Sequence, residues 1–152
     1  MNDVISRFRS TSEVGDVDGF MELIHPEAEL FSPILGRFVV RGERDLRTLF
    51  TAVYGSLKGL KWVDQVADER LALLRGQARI GPVRLDDAMV LELDPADGRI
   101  RTIRPHFRPW LGITAFALIV GAKLARHPGL FLRAARYPGP TGPMTLSAGG
   151  AP

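Results

Sequence analysis

Asp87 is the residue of this 152-residue chain best placed to do chemistry. In the stretch Val83-Arg-Leu-Asp-Asp-Ala-Met-Val-Leu-Glu-Leu93, period-two alternation puts it on one face with Val83, Leu85, Met89, Leu91 and Leu93. Asp86 falls on the other face, with Arg84. A carboxyl in an apolar stripe has its charged form disfavoured, so its pKa rises and it can donate a hydrogen bond or a proton near neutral pH. The plainer reading is a strand-end Asp that satisfies a turn or pairs with an arginine.

The other reactive residue types offer little. The chain has no cysteine, which removes disulfides, a thiolate zinc site and a cysteine nucleophile. His25, His106 and His127 lie far apart without ligand spacing, so neither a metal nor another cofactor is expected. His106 shares a face with Arg104 and Arg108 and reads as a surface or dimer-interface residue, and His25 before Pro26 as a loop residue. Tyr54 either points its hydroxyl into a cavity or packs its ring in the core, and Trp62 is either a pocket wall or a dimer contact. The sequence does not carry a complete catalytic set.

The elements that must position these residues are legible from their periodicity. Val4, Ile5 and Phe8, then Val17, Phe20, Met21 and Ile24 after a Gly15-Asp16 break, predict two short helices on one apolar face, with Asp16 as N-cap of the second. Residues 28–33 alternate as a strand, and residues 43–57 form a helix whose stripe is Leu46, Leu49, Phe50, Val53, Tyr54 and Leu57. Period-two segments at 61–69, 70–80, 83–94 and 99–107, separated by turn signals such as Gly81-Pro82, predict an antiparallel meander. Helices, one strand, a long helix and a meander make an α+β layer in which the helix covers a curved sheet.

Residues 110–122 are apolar on every side, too short at about 13 residues to span a bilayer, and are followed by a short basic helix. All 17 acidic residues lie at or before Asp97, whereas seven of the 20 basic ones follow residue 100. A basic end of this kind fits an anionic neighbour: a membrane surface, a nucleic acid, or the acidic body of the same chain or a partner. Nucleic acid is not expected, because the aromatic residues there sit in an apolar run with few base-reading partners. The organisation expected is a cone domain over 1–108, apolar and basic helices over 109–137, and a disordered Gly/Pro/Ser/Ala tail over 138–152. The N-terminal residues alternate charged and apolar types, unlike a signal peptide, so a cytoplasmic location is expected.

The order of elements, with Gly15-Asp-Val-Asp-Gly-Phe20, His25-Pro-Glu-Ala-Glu-Leu-Phe31, Arg41-Gly-Glu43 and Asp97-Gly-Arg-Ile-Arg-Thr-Ile-Arg104, resembles the nuclear transport factor 2 superfamily. More narrowly it is similar to the SnoaL-like branch of polyketide cyclases and ketosteroid isomerases, over roughly residues 4–108. The resemblance implies a cystatin-like α+β barrel, in which a curved antiparallel sheet wraps around helices to form a conical pocket for small apolar molecules, in a protein that is commonly a homodimer. It also implies departures. Ser32, before Pro33, stands where the isomerases place their Asp base, and Phe8 stands where they place an oxyanion-holding Tyr. Where limonene epoxide hydrolases of this fold place Arg-x-Asp and a second Asp, this sequence has Arg70, Ala72 and Pro105. Asp87 matches the isomerase acid held neutral by an apolar site.

The expected pocket is therefore walled by Phe8, Leu30, Ser32, Phe50 and Tyr54 from the first half and by Trp62, Met89, Ile103 and Phe107 from the meander, with Asp87 as acid. Such a site suits a small apolar or carbonyl-containing molecule and cofactor-independent isomerisation, cyclisation or dehydration. The alternative is a non-catalytic dimeric module that uses residues 110–137 to contact a membrane surface or a partner. If the apolar helix folds over the cone mouth, Trp110, Ile113 and Phe116 or Ala117 are expected to cap it.

Overall fold

The structure, a computed structural model, describes residues 2–136. The tail expected over 138–152 lies outside the described residues. Helix α1 (Asn2–Val14) ends at Gly15, whose φ of 72° suits glycine, and α2 (Val17–Met21) is capped by Asp16, whose carboxylate accepts from the Gly19 N–H at 3.0 Å. Strand β1 (Ile24–Phe31) and the short β2 (Val39–Arg41) precede α3 (Glu43–Tyr54), which buries Leu46, Leu49 and Phe50. The meander follows as β3 (Leu57–Ala67), β4 (Leu71–Ile80), β5 (Val83–Leu93), β6 (Ile100–Arg104) and β7 (Phe107–Arg108), and then come α4 (Trp110–Leu124) and α5 (Pro128–Ala135).

The sheet runs β2-β1-β6-β5-β4-β3, with β7 paired to β5. It is mostly antiparallel, as expected, but β1 lies parallel to β6, so the sheet is mixed. The intervening chain, with α3 and four strands, is long enough to return β6 to the open side of β1 in the same direction. Other differences have local causes. His25 and Pro26 lie inside β1, in an irregular stretch where the register to β6 shifts between Ile24 and Glu29. Gly55 ends α3 early, which frees Leu57 to pair with Ile80 in β3. Pro105 has no N–H for the ladder, and the single strand expected over 99–107 is split there into β6 and β7.

Two register shifts in β3, between Lys58 and Lys61 and between Trp62 and Asp64, mark the bends through which a sheet wraps. At the second bend, α1 satisfies every polar group of Trp62. Glu13 accepts from its backbone N–H at 2.8 Å, Arg9 donates to its carbonyl at 2.7 Å, and Ser12 Oγ accepts from the indole Nε1 at 2.8 Å. Partial burial pushes the Glu13 carboxyl up, but the Trp62 N–H and the Lys61 ammonium outweigh it and hold Glu13 below its ordinary value. The indole is fixed by these bonds and packs on Phe8 and across Gly76 of β4.

Helices α4 and α5 fold back on this body. At Gly112 the approach of α4 to β5 is so close that a Cβ would lie 2.7 Å from the Arg84 carbonyl oxygen. Lys123 Nζ donates to the Gly55 carbonyl at 3.0 Å, and Arg133 forms a bidentate pair with Asp45 at 2.7 and 2.6 Å. The guanidinium holds the Asp45 carboxyl below its ordinary range.

A Cβ at Gly76 would meet the Trp62 ring at 2.8 Å, and that ring is held by hydrogen bonds that prevent it from yielding. Gly76→Ala is expected to destabilise the fold by about 1–3 kcal/mol through overpacking. Chemical denaturation followed by Trp emission checks this, and unchanged stability would mean that the ring is free to move.

Candidate functional site

Asp87 reaches its setting through a row of inner-face positions that crosses the sheet. Trp62 pairs with Gly76, Gly76 with Asp87, and Asp87 with Phe107. Gly76 contributes no side chain to this row and the Trp62 ring lies across it, so the carboxyl stands between the bare backbone of Gly76 and Phe107. The resulting cavity of about 240 Å³ lies between the sheet, α3 and α4. Leu30, Ser32, Phe50, Tyr54, Met89 and Phe107 all stand in its wall with Asp87, as the sequence led us to expect.

Three expected wall residues are instead core. Phe8 is fully buried between Phe20 and Trp62, with ring centroids 5.4 Å from each, and Trp62 is buried by the bonds to α1 described above. Neither lines the cavity. Ile103 is fully buried between its strand neighbours Leu30 and Leu91. The expected lid also needs correction. Phe116 and Ala117 do line the cavity, but Trp110 is 74 % exposed and Ile113 is not in the wall. The tight seat of Gly112 on β5 fixes the rotation of α4, which turns residues 112, 116, 120 and 124 inward.

The wall also contains residues that sequence reasoning did not assign. The loop between β1 and β2 supplies Pro33, Ile34, Leu35 and Phe38, and α4 and α5 supply Val120, Gly121, Leu124 and Phe131. The available signal was the all-round apolar character of residues 110–122, which calls for cover without saying which positions provide it.

Among the wall residues Asp87 is the one acid. Its Oδ1 accepts one hydrogen bond, from the His106 backbone N–H at 3.1 Å, a group that the break at Pro105 releases from the ladder. Burial pushes the carboxyl up to about 7, although the His106 N–H acts in the opposite direction. Asp87 is therefore a mixture of acid and carboxylate near neutral pH. Tyr54 stacks on Phe50 with centroids 5.8 Å apart, and burial, followed by the charge of Asp87, raises its hydroxyl far above the ordinary phenol value. Tyr54 therefore stays protonated. Ser32 Oγ accepts from the Ile34 and Leu35 N–H groups, both at 3.1 Å, so the residue in the place of a base shapes the loop.

His106 is exposed, with Nδ1 at 3.0 Å from the Ala88 carbonyl oxygen, so its contribution to the site comes from the backbone and its ring stays outside. Asp86 lies across from Arg108 at 3.5 Å on the outer side. Among the described residues, no group of three or more His, Asp or Glu could hold a metal ion, and no single helix is long and apolar enough to cross a membrane.

With this geometry in view, comparison with solved structures defines the fold. An uncharacterized protein with a cystatin-like fold from Silicibacter pomeroyi DSS-3 matches at a TM-score of 0.80 and 15 % identity, covering 90 % of this chain and 95 % of its own. A steroid delta-isomerase from Pseudomonas aeruginosa matches at 0.75 and 24 % identity, covering 84 % and 93 %. The epoxide hydrolase/cyclase-like enzyme SalBIII matches at 0.59 and 18 % identity, covering 70 % and 89 %. NTF2-like proteins of unknown function also match. No protein-family model and no curated protein matches the sequence. The chain thus has the cystatin-like, NTF2-like fold, an architecture whose members include ketosteroid isomerases and cyclase-like enzymes.

The raised pKa carries a sign that can be measured. Between the ordinary Asp value of 3.8 and about 7 the unfolded chain loses the Asp87 proton and the folded chain keeps it, so this group lowers stability as pH rises and contributes no further change above about 7. Asp87→Asn keeps an acceptor for the His106 N–H and removes the titration. Above pH 7 the variant is expected to be more stable than the parent, by an amount whose upper bound is on the order of 4 kcal/mol. Denaturation at several pH values checks this, and parallel pH profiles for the two proteins would contradict it.

Proposed function

We propose that this chain is a SnoaL-like small-molecule-binding protein whose pocket takes a small, mostly apolar carbonyl compound and whose Asp87 acts on it as a carboxylic acid. The observation that carries this reading is a single half-protonated carboxyl in a wall that is otherwise apolar apart from Tyr54, Ser32 and Gln77. A protonated Asp87 donates a hydrogen bond to a carbonyl oxygen, and the apolar walls strengthen that bond by excluding water. Polarising the carbonyl in this way favours addition of a hydroxyl of the same molecule to its carbon, the Asp87 proton passing to the carbonyl oxygen and the hydroxyl proton returning to the carboxylate. No cofactor is required for such a step. Ser32 offers no base for removing a C–H proton, so acid-assisted cyclisation by a hydroxyl is better supported than isomerisation or dehydration, which both need that removal. The steroid delta-isomerase and the cyclase-like neighbour support this class by fold analogy.

The proposal includes a homodimer. Val63, Leu71 and Leu73 are exposed together on the outer side of β3 and β4, an apolar surface that a second copy would cover. Analytical ultracentrifugation at micromolar concentration is expected to give a dimer, and Leu73→Lys to give a monomer with an intact pocket. A monomeric parent protein would count against the dimer and leave the pocket reading untouched.

Calorimetric binding of a fused-ring ketone and of the matching hydrocarbon tests the pocket. Asp87→Ala is expected to weaken the ketone about tenfold, the value of one such hydrogen bond, and to leave the hydrocarbon unchanged. Ketone affinity should also fall as pH rises through about 7, where Asp87 loses its proton. Equal loss for both ligands, or no binding of either, would overturn the assignment.

A further inference from the structure

The inner side of α4 closes the cavity, but its outer side is apolar as well. From Trp110 to Ala122 the helix carries no charged residue, and Trp110, Leu111 and Leu118 are exposed, Leu118 by 69 %. Leu132 of α5 and Ile34 and Leu35 of the loop between β1 and β2 are also exposed. These segments lie close together, because Ile34, Leu35, Ala117 and Phe131 all line one cavity and Phe38 packs on Phe131 at 5.5 Å.

The charge around this surface is mainly basic. No acidic residue follows Asp97, and Asp45 beneath α5 is neutralised by Arg133. Arg44, Arg126 and His127 line a groove beside that pair. Arg37, Arg126 and Arg136 are exposed and form no ion pair among the described residues. Exposed large apolar side chains flanked by arginines free of acidic partners match the chemistry of an anionic lipid interface, where apolar groups enter the headgroup boundary and the arginines meet phosphates. Neither helix alone is long and apolar enough to cross, and the two together are bent by 117° and pinned to the body by Lys123 and Arg133, so the contact is one of lying on the surface.

We propose that the outer face of α4 and α5, with the loop bearing Ile34 and Leu35, docks on an anionic bilayer. The cavity reaches the edge of this face. Ala117 and Gly121, one turn apart on α4, line the cavity beside that loop, and a Cβ at Gly121 would meet nothing within 4 Å. A docked protein would take its apolar ligand from the bilayer on the side of Ala117, Gly121 and that loop, a step that rests on the pocket reading above.

Vesicle binding is measured on the full chain without ligand, so its failure and the failure of the pocket reading are distinguishable. The protein is expected to float with vesicles of phosphatidylcholine mixed with phosphatidylglycerol, not with phosphatidylcholine alone, and to release as salt shortens the screening length. Trp62 is buried, so a blue shift of Trp emission on binding reports Trp110, and Trp110→Phe should abolish it while leaving flotation. Leu118→Glu, at an exposed position outside the cavity wall, is expected to weaken flotation by at least about tenfold with an unchanged circular dichroism spectrum. Absence of flotation on the mixed vesicles at low salt, or flotation that Leu118→Glu leaves intact, overturns the proposal. Self-association lost in Leu118→Glu without vesicle binding also overturns it, because a second copy would then be the occupant.

Discussion

A carboxyl that gives up its hydration must be compensated by hydrogen bonds, paired with a cation, or kept neutral. Asp87 has one backbone N–H and no basic partner among the described residues, so neutrality is the remaining course. Much of the architecture around it serves that condition. The bonds from α1 hold Trp62 over Gly76, the missing side chain at Gly76 makes room for that ring in the row that leads to the carboxyl, and Phe107 and Phe116, with ring centroids 4.6 Å apart, screen it from the side of α4. The break at Pro105 turns one N–H toward Oδ1, which anchors the group without fixing its charge. The cost is stability near neutral pH, a form of strain that proteins accumulate where a site must react.

The C-terminal helices complete this enclosure with one side and present an unusual surface with the other. A helix covering a soluble core ordinarily places charges on its outer face. In α4 the outer residues are as apolar as the inner ones, and the cations are gathered at the bend before α5. One segment thus has two roles to fill: its inward-facing residues line the cavity, and its outward-facing residues form the apolar surface proposed to dock. The enclosed pocket and the interaction surface, which pointed to different classes of protein when considered separately, are compatible features of the same helix.

The residues that were legible in the sequence are those governed by local periodicity. Asp87 stood out because alternation in β5 alone places it among Leu85, Met89 and Leu91, and the α3 stripe gave Phe50 and Tyr54 directly. The Asp16 cap was equally local. Features that depend on distant pairing were not legible. The parallel alignment of β1 with β6 is set by the path of the intervening chain, and the three-residue β2 is too short for any period. Phe8, Trp62 and Ile103 were expected in the wall, but tertiary packing decides that they are core: Phe8 and Trp62 meet each other where β3 bends, and Ile103 lies between Leu30 and Leu91. The rotation of α4 was hidden for a related reason, since a helix apolar all round gives no preferred inward side until Gly112 seats it on Arg84 and Leu85.

The most direct measurement is a site-resolved titration of the side-chain carboxyl carbon of Asp87 by nuclear magnetic resonance in the ligand-free protein, assigned against Asp87→Asn. Enclosure by apolar walls predicts an apparent pKa of about 7, far from the ordinary 3.8. A value near 3.8 would mean that water or an unseen partner stabilises the carboxylate, and it would contradict the account of Asp87 as the acid of an apolar pocket.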